Sequence, residues 1–313
     1  MTSFIFRRLL SGVLTLVTIS VFGFVLLYSG AHDIARRLVG NTAAPEIVAR
    51  KEAELGLDRP LIEQFVEWAT GAISGDLGRS WFSGQYVVDA LAARLPVTLS
   101  LTLGATVLTL IAGIMIGVIA ASKRGVADRV TQVISFVVSA VPGFLIALFL
   151  VYLFGLTLHW LPATGYIPIE KSFTGWLSTI TLPIVALALG ATASVAQQVR
   201  GAMIDTLRLD YVRTLRSRGL PYNRVVYRHV LRNAAGPALS ILGLQIIVMF
   251  GGAVVIEQVF SAPGVGQAAV AATIQGDVPL VMGIIVATGL FVLIINLVID
   301  LIQGLLNPKV RVS

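Results

Sequence analysis

The chain of 313 residues has no cysteine, so disulfides, thiolate catalysis and Cys-ligated metal sites do not arise. It has three histidines, His32, His159 and His229, too far apart for the short spacing of a histidine metal site. Only 12% of its residues are charged, against about 25% in a soluble domain. Its lysines are Lys51, Lys123, Lys171 and Lys309, preceded by Arg50, Ser122, Glu170 and Pro308. None follows glycine, so a Gly-Lys-Ser/Thr phosphate loop is excluded. There is no Gly-x-Ser-x-Gly elbow and no His-Glu-x-x-His pair. Catalysis by this chain has no sequence support: the expectation is a non-enzyme that holds no cofactor or metal.

What is present is apolar length. Hydrophobic residues make up 56% of the chain and the mean hydropathy is +0.89. Runs of about 20 apolar residues are long enough to cross a bilayer. Hydropathy predicts an all-α integral membrane protein with six spans: about 9–28, 97–121, 130–158, 177–199, 238–260 and 279–306. The first run follows Arg7 and Arg8 and exceeds the roughly 7–15 residues of a signal-peptide core, so it reads as a retained span. The layout is a first span within 1–28, an external segment 29–96, a core 97–306 and a tail 307–313.

Charge orients the spans. With Arg7 and Arg8 inside, 15 of the 23 lysines and arginines fall inside, and the 261–278 loop, expected outside, has none. The N- and C-termini are both expected in the cytoplasm. The net charge of +7 sits at span ends, which argues for membrane topology and against nucleic acid. Within 29–96, short helices are expected over 46–55 and 59–72, the second opened by Pro60, and the segment is a candidate cap over an external mouth. Gly113 and Gly117 form a close-packing step. Pro142-Gly143, Pro183 and Gly251-Gly252 are expected to interrupt spans three, four and five.

The densest signal is the loop 200–232, with eight arginines and only Asp205 and Asp210 as acids. A helical run from Asp210 to Arg218 carries its one acid, Asp210, first and its arginines late, matching the helix dipole. Gly219 stops it, and Leu220-Pro221 open a second run in which Arg224, Arg228 and Arg232 recur every four residues. Tyr211, Val212 and Leu215 are read as an apolar face for a partner protein. Few polar groups lie inside the spans. Gln245, Glu257, Asn296 and Asp300 are the candidates for a translocation path, and a proton relay through the two carboxylates would need buried partners.

At this loop the sequence resembles a known family. Asp210-Tyr211-Val212-Arg213-Thr214-Leu215-Arg216-Ser217-Arg218-Gly219-Leu220 is similar to the coupling loop of bacterial ABC-importer permeases, in the B-type group that serves dipeptides, oligopeptides and nickel. Leu215 departs from the small residue usual there. Further similar stretches are Leu55–Leu61, Gly75–Ser80, Arg94–Leu99, Trp160–Tyr166, Val255–Phe260 with Pro263–Gly266, and Asn307–Arg311. The Pro-Gly-Asp frequent after the first span is replaced by Gly30-Ala31-His32-Asp33, which puts the outer mouth near a binding protein in question.

The resemblance implies a type I ABC-importer permease core with an extra N-terminal span, in a bacterial inner or plasma membrane. It implies a homologous C-type permease partner, two ATP-binding cassette ATPases that hold ATP and Mg, an extracellular solute-binding protein, and contact with membrane lipid. The coupling residues carried over are Asp210, Tyr211, Arg213, Thr214, Leu215, Arg216, Gly219 and Leu220. The cargo implied is peptide, with nickel chelates or glutathione as alternatives. An ion-coupled secondary carrier is the competing class; it needs intramembrane charge pairs and often inverted repeats, and neither is visible in the sequence.

Overall fold

The computed structural model describes residues 2–28, 30–40, 42–123 and 125–306; the tail stretch Asn307–Arg311 lies outside them. Among the described residues thirteen α-helices follow one another: α1 (Thr2–Tyr28), α2 (Ala31–Val39), α3 (Pro45–Glu54), α4 (Leu61–Ser74), α5 (Val87–Lys123), α6 (Val126–Ala140), α7 (Gly143–Leu150), α8 (Phe173–Leu207), α9 (Asp210–Ser217), α10 (Tyr222–Arg224), α11 (Leu231–Phe260), α12 (Val265–Gln275) and α13 (Val278–Leu306). Two π-helical segments, Val151–Thr157 and Val225–Val230, continue α7 and join α10 to α11. Among the described residues the only strand-like pairing is an isolated antiparallel bridge between Arg79 and Tyr86. Among the described residues five helices are long and apolar enough to span a bilayer, and six if the bent α6–α7 pair is one span, as the sequence predicts.

The elements start and stop for local reasons. Pro45 sits in the first turn of α3, and Pro60 is the N-cap of α4, where a missing N–H costs nothing. Ser172 caps α8, its hydroxyl accepting from the Gly175 N–H at 3.0 Å. The third span is broken at Pro142, which lacks the N–H to continue the ladder and holds Val141 in extended backbone. α6 and the helix after it meet at 97°.

Other expectations fail for identifiable reasons. α8 runs unbroken through Pro183, and α11 through Gly251-Gly252. Two helices, α2 and α12, lie where the sequence suggests loops. In the second case Gly264 is the N-cap, in extended backbone, and Val265-Gly266 begin the helix.

The chain forms two compact units. The first combines Met1–Pro96 with Gly264–Ile294. Phe24, Val278 and Met282 are buried together, with Tyr28, Phe65, Trp68 and Trp81 packed around them. The Phe24 and Tyr28 rings stack at 3.9 Å. Asp277, 2% exposed, accepts from the Ser80 hydroxyl and from the Trp81 N–H at 3.1 Å, which ties the end of α12 to the 29–96 segment. The second unit comprises Val97–Pro263 and Ile295–Ser313. Its buried carboxylate is Glu257, fully shielded, which accepts from Thr98 Oγ1 at 2.5 Å and so links α11 to α5.

The Gly113/Gly117 step packs α5 against α8. A Cβ on Gly117 would stand 2.7 Å from the Ala196 carbonyl oxygen and 2.7 Å from Val199 Cβ, while one on Gly143 would meet nothing within 4 Å. Gly117→Ala is therefore expected to destabilise the chain by about 1–3 kcal/mol through overpacking. Gly143→Ala is expected to be neutral or mildly stabilising. Helicity followed against SDS in mixed micelles separates the two.

Candidate functional site

The arginine-rich loop folds into a compact hairpin. α8 ends at Leu207, Leu209 stays extended, and Asp210 opens α9 with its charge in the first turn. The helix ends in a Schellman closure: the Gly219 N–H donates to the Arg216 carbonyl at 3.0 Å and the Leu220 N–H to the Leu215 carbonyl at 3.3 Å. That geometry requires the left-handed backbone of Gly219, whose φ is +81°. Leu215 and Leu220 are the two positions that such a motif brings together, and both are half-buried. This gives the departure at Leu215 a structural use.

The apolar face of α9 is partly covered by its own unit. Val212 is buried at 3% exposure, and α9 packs on the π-helical segment, where Val225, Val226 and Val230 are sealed. Asn233 Nδ2 donates to the Tyr211 hydroxyl at 2.8 Å, and the Tyr222 hydroxyl donates to the Ser122 carbonyl at 3.4 Å. Of the face read from the sequence as Tyr211, Val212 and Leu215, Val212 is covered by its own unit, while Tyr211 and Leu215 are half-buried. What points outward is basic and aromatic. Arg213, Thr214, Arg216, Arg218, Arg224 and Arg228 are exposed, as are Tyr222 and Tyr227. The Arg216 guanidinium lies 5.8 Å from the Tyr222 ring centroid. Asp210 and Arg213 approach to 3.7 Å, but both are almost fully exposed, so the pair contributes little.

Nearby, Arg200 on α8 makes a two-pronged ion pair with Asp128 on α6, Nη2 reaching Oδ2 at 2.8 Å. This fixes the start of α6 to the end of α8, just before the hairpin.

A cavity of about 410 Å³ opens at the Pro142 break. Its walls come from the end of α6, from α7, from α8 and from α11. Ser139, Ser194 and Gln245 supply the polar side chains; the rest of the lining is apolar or glycine, and no charged residue lines it. Of the four path candidates only Gln245 is there. Glu257 is buried against Thr98, while Asn296 and Asp300 stand on α13, exposed and half-buried, outside the lining. Sequence reasoning missed Ser139 and Ser194. The signal was the Pro142 break three residues after Ser139 and the Gly190 one turn before Ser194. Among the described residues, no group of three His, Asp or Glu stands close enough to hold a metal ion.

Comparison with known proteins covers nearly the whole chain. Residues 113–312 match the family "Binding-protein-dependent transport system inner membrane component". Residues 1–102 match "Binding-prot-dependent transport system membrane comp, N-term". A Brucella abortus (strain 2308) protein named as a peptide transport system permease is 36% identical over 99% of this chain and 99% of its own. The glutathione transport system permease protein GsiC of Shigella flexneri serotype 5b (strain 8401) is 34% identical, again over 99% of each. Among solved structures, an inward-facing form of the MetNI methionine ABC transporter is similar with TM-score 0.56 at 16% identity, over 69% of this chain and 96% of that one; this likeness concerns the fold.

Gly219→Val should strain the hairpin, since a left-handed backbone costs an ordinary L-residue about 1–2 kcal/mol and a β-branched one more. Gly219→Asn should be tolerated. Hydrogen exchange over 210–220 should accelerate roughly tenfold in the first and little in the second, one decade corresponding to about 1.4 kcal/mol.

Proposed function

The chain belongs to the family of binding-protein-dependent transport system inner membrane components, and we propose that this permease subunit carries di- or oligopeptides through an ATP-driven importer. The observation that supports it best is mechanical. The exposed basic hairpin is continuous on one side with α8 and on the other with α11, and both helices wall the uncharged cavity. A pull on the hairpin moves two walls of one cavity together. The hairpin is held to α11 and to α5 by side-chain hydrogen bonds, and a bidentate ion pair fixes α6 to α8 beside it, so the force is not dissipated in a loose loop.

The coupling surface in this reading is Arg213, Thr214 and Arg216 outward, with Asp210, Tyr211, Leu215, Gly219 and Leu220 maintaining the shape. Its partner would be an acidic groove on an ATPase, of which two are expected, each holding ATP and Mg. The chain supplies no catalytic group. A homologous permease would close the cavity's open side, and an extracellular binding protein would deliver cargo. The arginine distribution supports a reading in which both termini lie in the cytoplasm. By layout the chain divides into the span 1–28, the external segment 29–96, the core 97–306 and the tail 307–313.

Peptide cargo rests on the Brucella relative and on a wall that offers hydroxyl and amide groups and no fixed charge. The GsiC relative supports a second reading, glutathione, itself a tripeptide-like molecule that the same wall suits. Reconstitution with the partner subunits and binding protein in liposomes tests both: ATP-dependent uptake of a di- or oligopeptide or of glutathione is expected, and ATP-independent uptake driven by an ion gradient would overturn the reading. In that system Ser194→Leu, which fills the cavity, should lower uptake at least tenfold with ATP hydrolysis retained. Gly219→Val should likewise uncouple hydrolysis from uptake, and unchanged uptake in that variant would remove the coupling role from the hairpin.

A further inference from the structure

In the first unit, α4 has three sides. One is aromatic and packed: Phe65 and Trp68 rest on the buried cluster of Phe24 from α1 with Val278 and Met282 from α13. The Phe24 and Phe65 rings meet edge to face at 5.2 Å, and the Trp68 ring centroid lies 6.0 Å from that of Phe24. A second side is aliphatic and bare. Ile62 is 73% exposed, Val66 53% and Ile73 89%. With Ala69 between them they stand at i, i+4, i+7 and i+11, a single line about 16 Å long at 1.5 Å per residue. The third side is polar: Glu63, Glu67 and Thr70, all exposed, run beside that line.

A bare aliphatic row is unfavourable in water and ordinary in lipid, so its depth decides what surrounds it. Phe24 lies four residues, about 6 Å, inside the Tyr28 end of α1, and Met282 the same distance inside the start of α13. Both helices are apolar enough to be spans, so α4 rests on their sides, below their ends. The headgroup region on each face of the hydrocarbon is about 5–7 Å deep, and an interfacial helix sinks about 5–10 Å into that boundary. Tyr28, Trp68 and Trp81 cluster at the same level, as aromatic residues do where membrane meets water. The apolar window of α1 is only 11% buried, and near the contact with α4 its Phe22 and Leu26 are 66% and 73% exposed, as befits a lipid-facing span.

We infer that α4 is an interfacial helix whose bare row is covered by phospholipid. Ile62, Val66 and Ile73 are immersed in the acyl–headgroup boundary of the leaflet at the Tyr28 end of α1, while Glu63, Glu67 and Thr70 face water. α4 contains no lysine or arginine, so the contact is apolar and needs no anionic lipid. The lipid that covers Phe22 and Leu26 of α1 continues over the row, because α4 is seated against the same end of that span. The 29–96 segment is thereby held to the bilayer as well as to α1 and α13, and α4 is its anchor. The inference uses no part of the transport reading: it holds whatever the cargo and whatever drives uptake.

The chain has no cysteine, so each single-cysteine variant takes one nitroxide spin label. Labels at Ile62→Cys, Val66→Cys and Ile73→Cys are compared with Phe22→Cys as the lipid reference and with Glu63→Cys and Thr70→Cys as water references, in the full chain in phosphatidylcholine vesicles. The ratio of collisions with oxygen, which concentrates in lipid, to collisions with a water-soluble nickel chelate should be severalfold higher at the three row positions than at Glu63 and Thr70. Row labels that read like the water references would mean that α4 stands clear of the bilayer and would overturn the proposal. Row labels shielded from both reagents would also overturn it, since protein then covers the row. Adding the partner subunits should leave the row readings unchanged; loss of oxygen collisions on their addition assigns the row to a partner chain and sinks the lipid contact. If circular dichroism shows a labelled variant misfolded, the unmodified chain decides. Phosphatidylcholine with a photoreactive diazirine near the top of an acyl chain should label residues 61–74, and labelling of 1–28 without 61–74 counts against the inference in the same way.

Discussion

The hydrocarbon interior of a bilayer offers no hydrogen bonds, and this one constraint shapes every element of the chain that meets it. Each spanning segment must close its backbone bonds within itself, so any interruption has to be covered by protein or face a water-filled space. The interruption at Pro142 fits this rule. The two halves of the third span diverge by 97°, and the cavity walled by α6, α7, α8 and α11 lies at the break. The same constraint governs side chains. Glu257 is wholly buried and bonded to Thr98, and α5 approaches α8 through glycines that expose almost no polar surface.

Outside the hydrocarbon the chain spends charge freely, and it does so most densely between the two helices that share the cavity wall. A plain charged tether would satisfy topology equally well. The hairpin does more, because its closure at Gly219, its buried Val212 and the Tyr211–Asn233 bond leave it little internal freedom. Burying the apolar face inward and turning arginines outward also makes the exposed surface selective, since an acidic partner is attracted and a neutral one gains little.

The six spans were legible because apolar length and arginine placement are one-dimensional signals. So was the arginine-rich hairpin, whose start at Asp210 and stop at Gly219 are dictated locally. What escaped depends on three-dimensional neighbours. Amphipathicity showed that α9 has an apolar face and could not tell whether its own chain or another would cover it. Gly251-Gly252 looks like a helix breaker, yet α11 runs through both; a Cβ would meet nothing within 4 Å at Gly251 and only an ordinary contact, Leu187 at 3.6 Å, at Gly252, which lines the cavity. The helix α12 was hidden because Gly264-Val265-Gly266 carries turn composition, although the first glycine serves as the cap. Asn296 and Asp300 were selected for polarity alone, and α13, which carries them, contributes no residue to the cavity lining.

The uncharged cavity wall has its own logic if the cavity is the route of a zwitterionic cargo. A fixed carboxylate 4 Å from an ammonium group, at the effective dielectric typical near protein surfaces, is worth about 4 kcal/mol. At about 1.4 kcal/mol per decade that is nearly a thousandfold in dwell time, which opposes release on the far side. The amide of Gln245 and the hydroxyls of Ser139 and Ser194 can donate to a carboxylate or accept from an ammonium group with far less attraction, so they suit either end of the cargo in turn. Strong charge on this chain is instead kept where something must stay attached: at the Arg200–Asp128 pair, in the Asp277 clamp and, if the hairpin is the docking handle, on its outward face. A wall that binds weakly and a handle that binds firmly are the division of labour expected when energy enters at one place and cargo leaves from another.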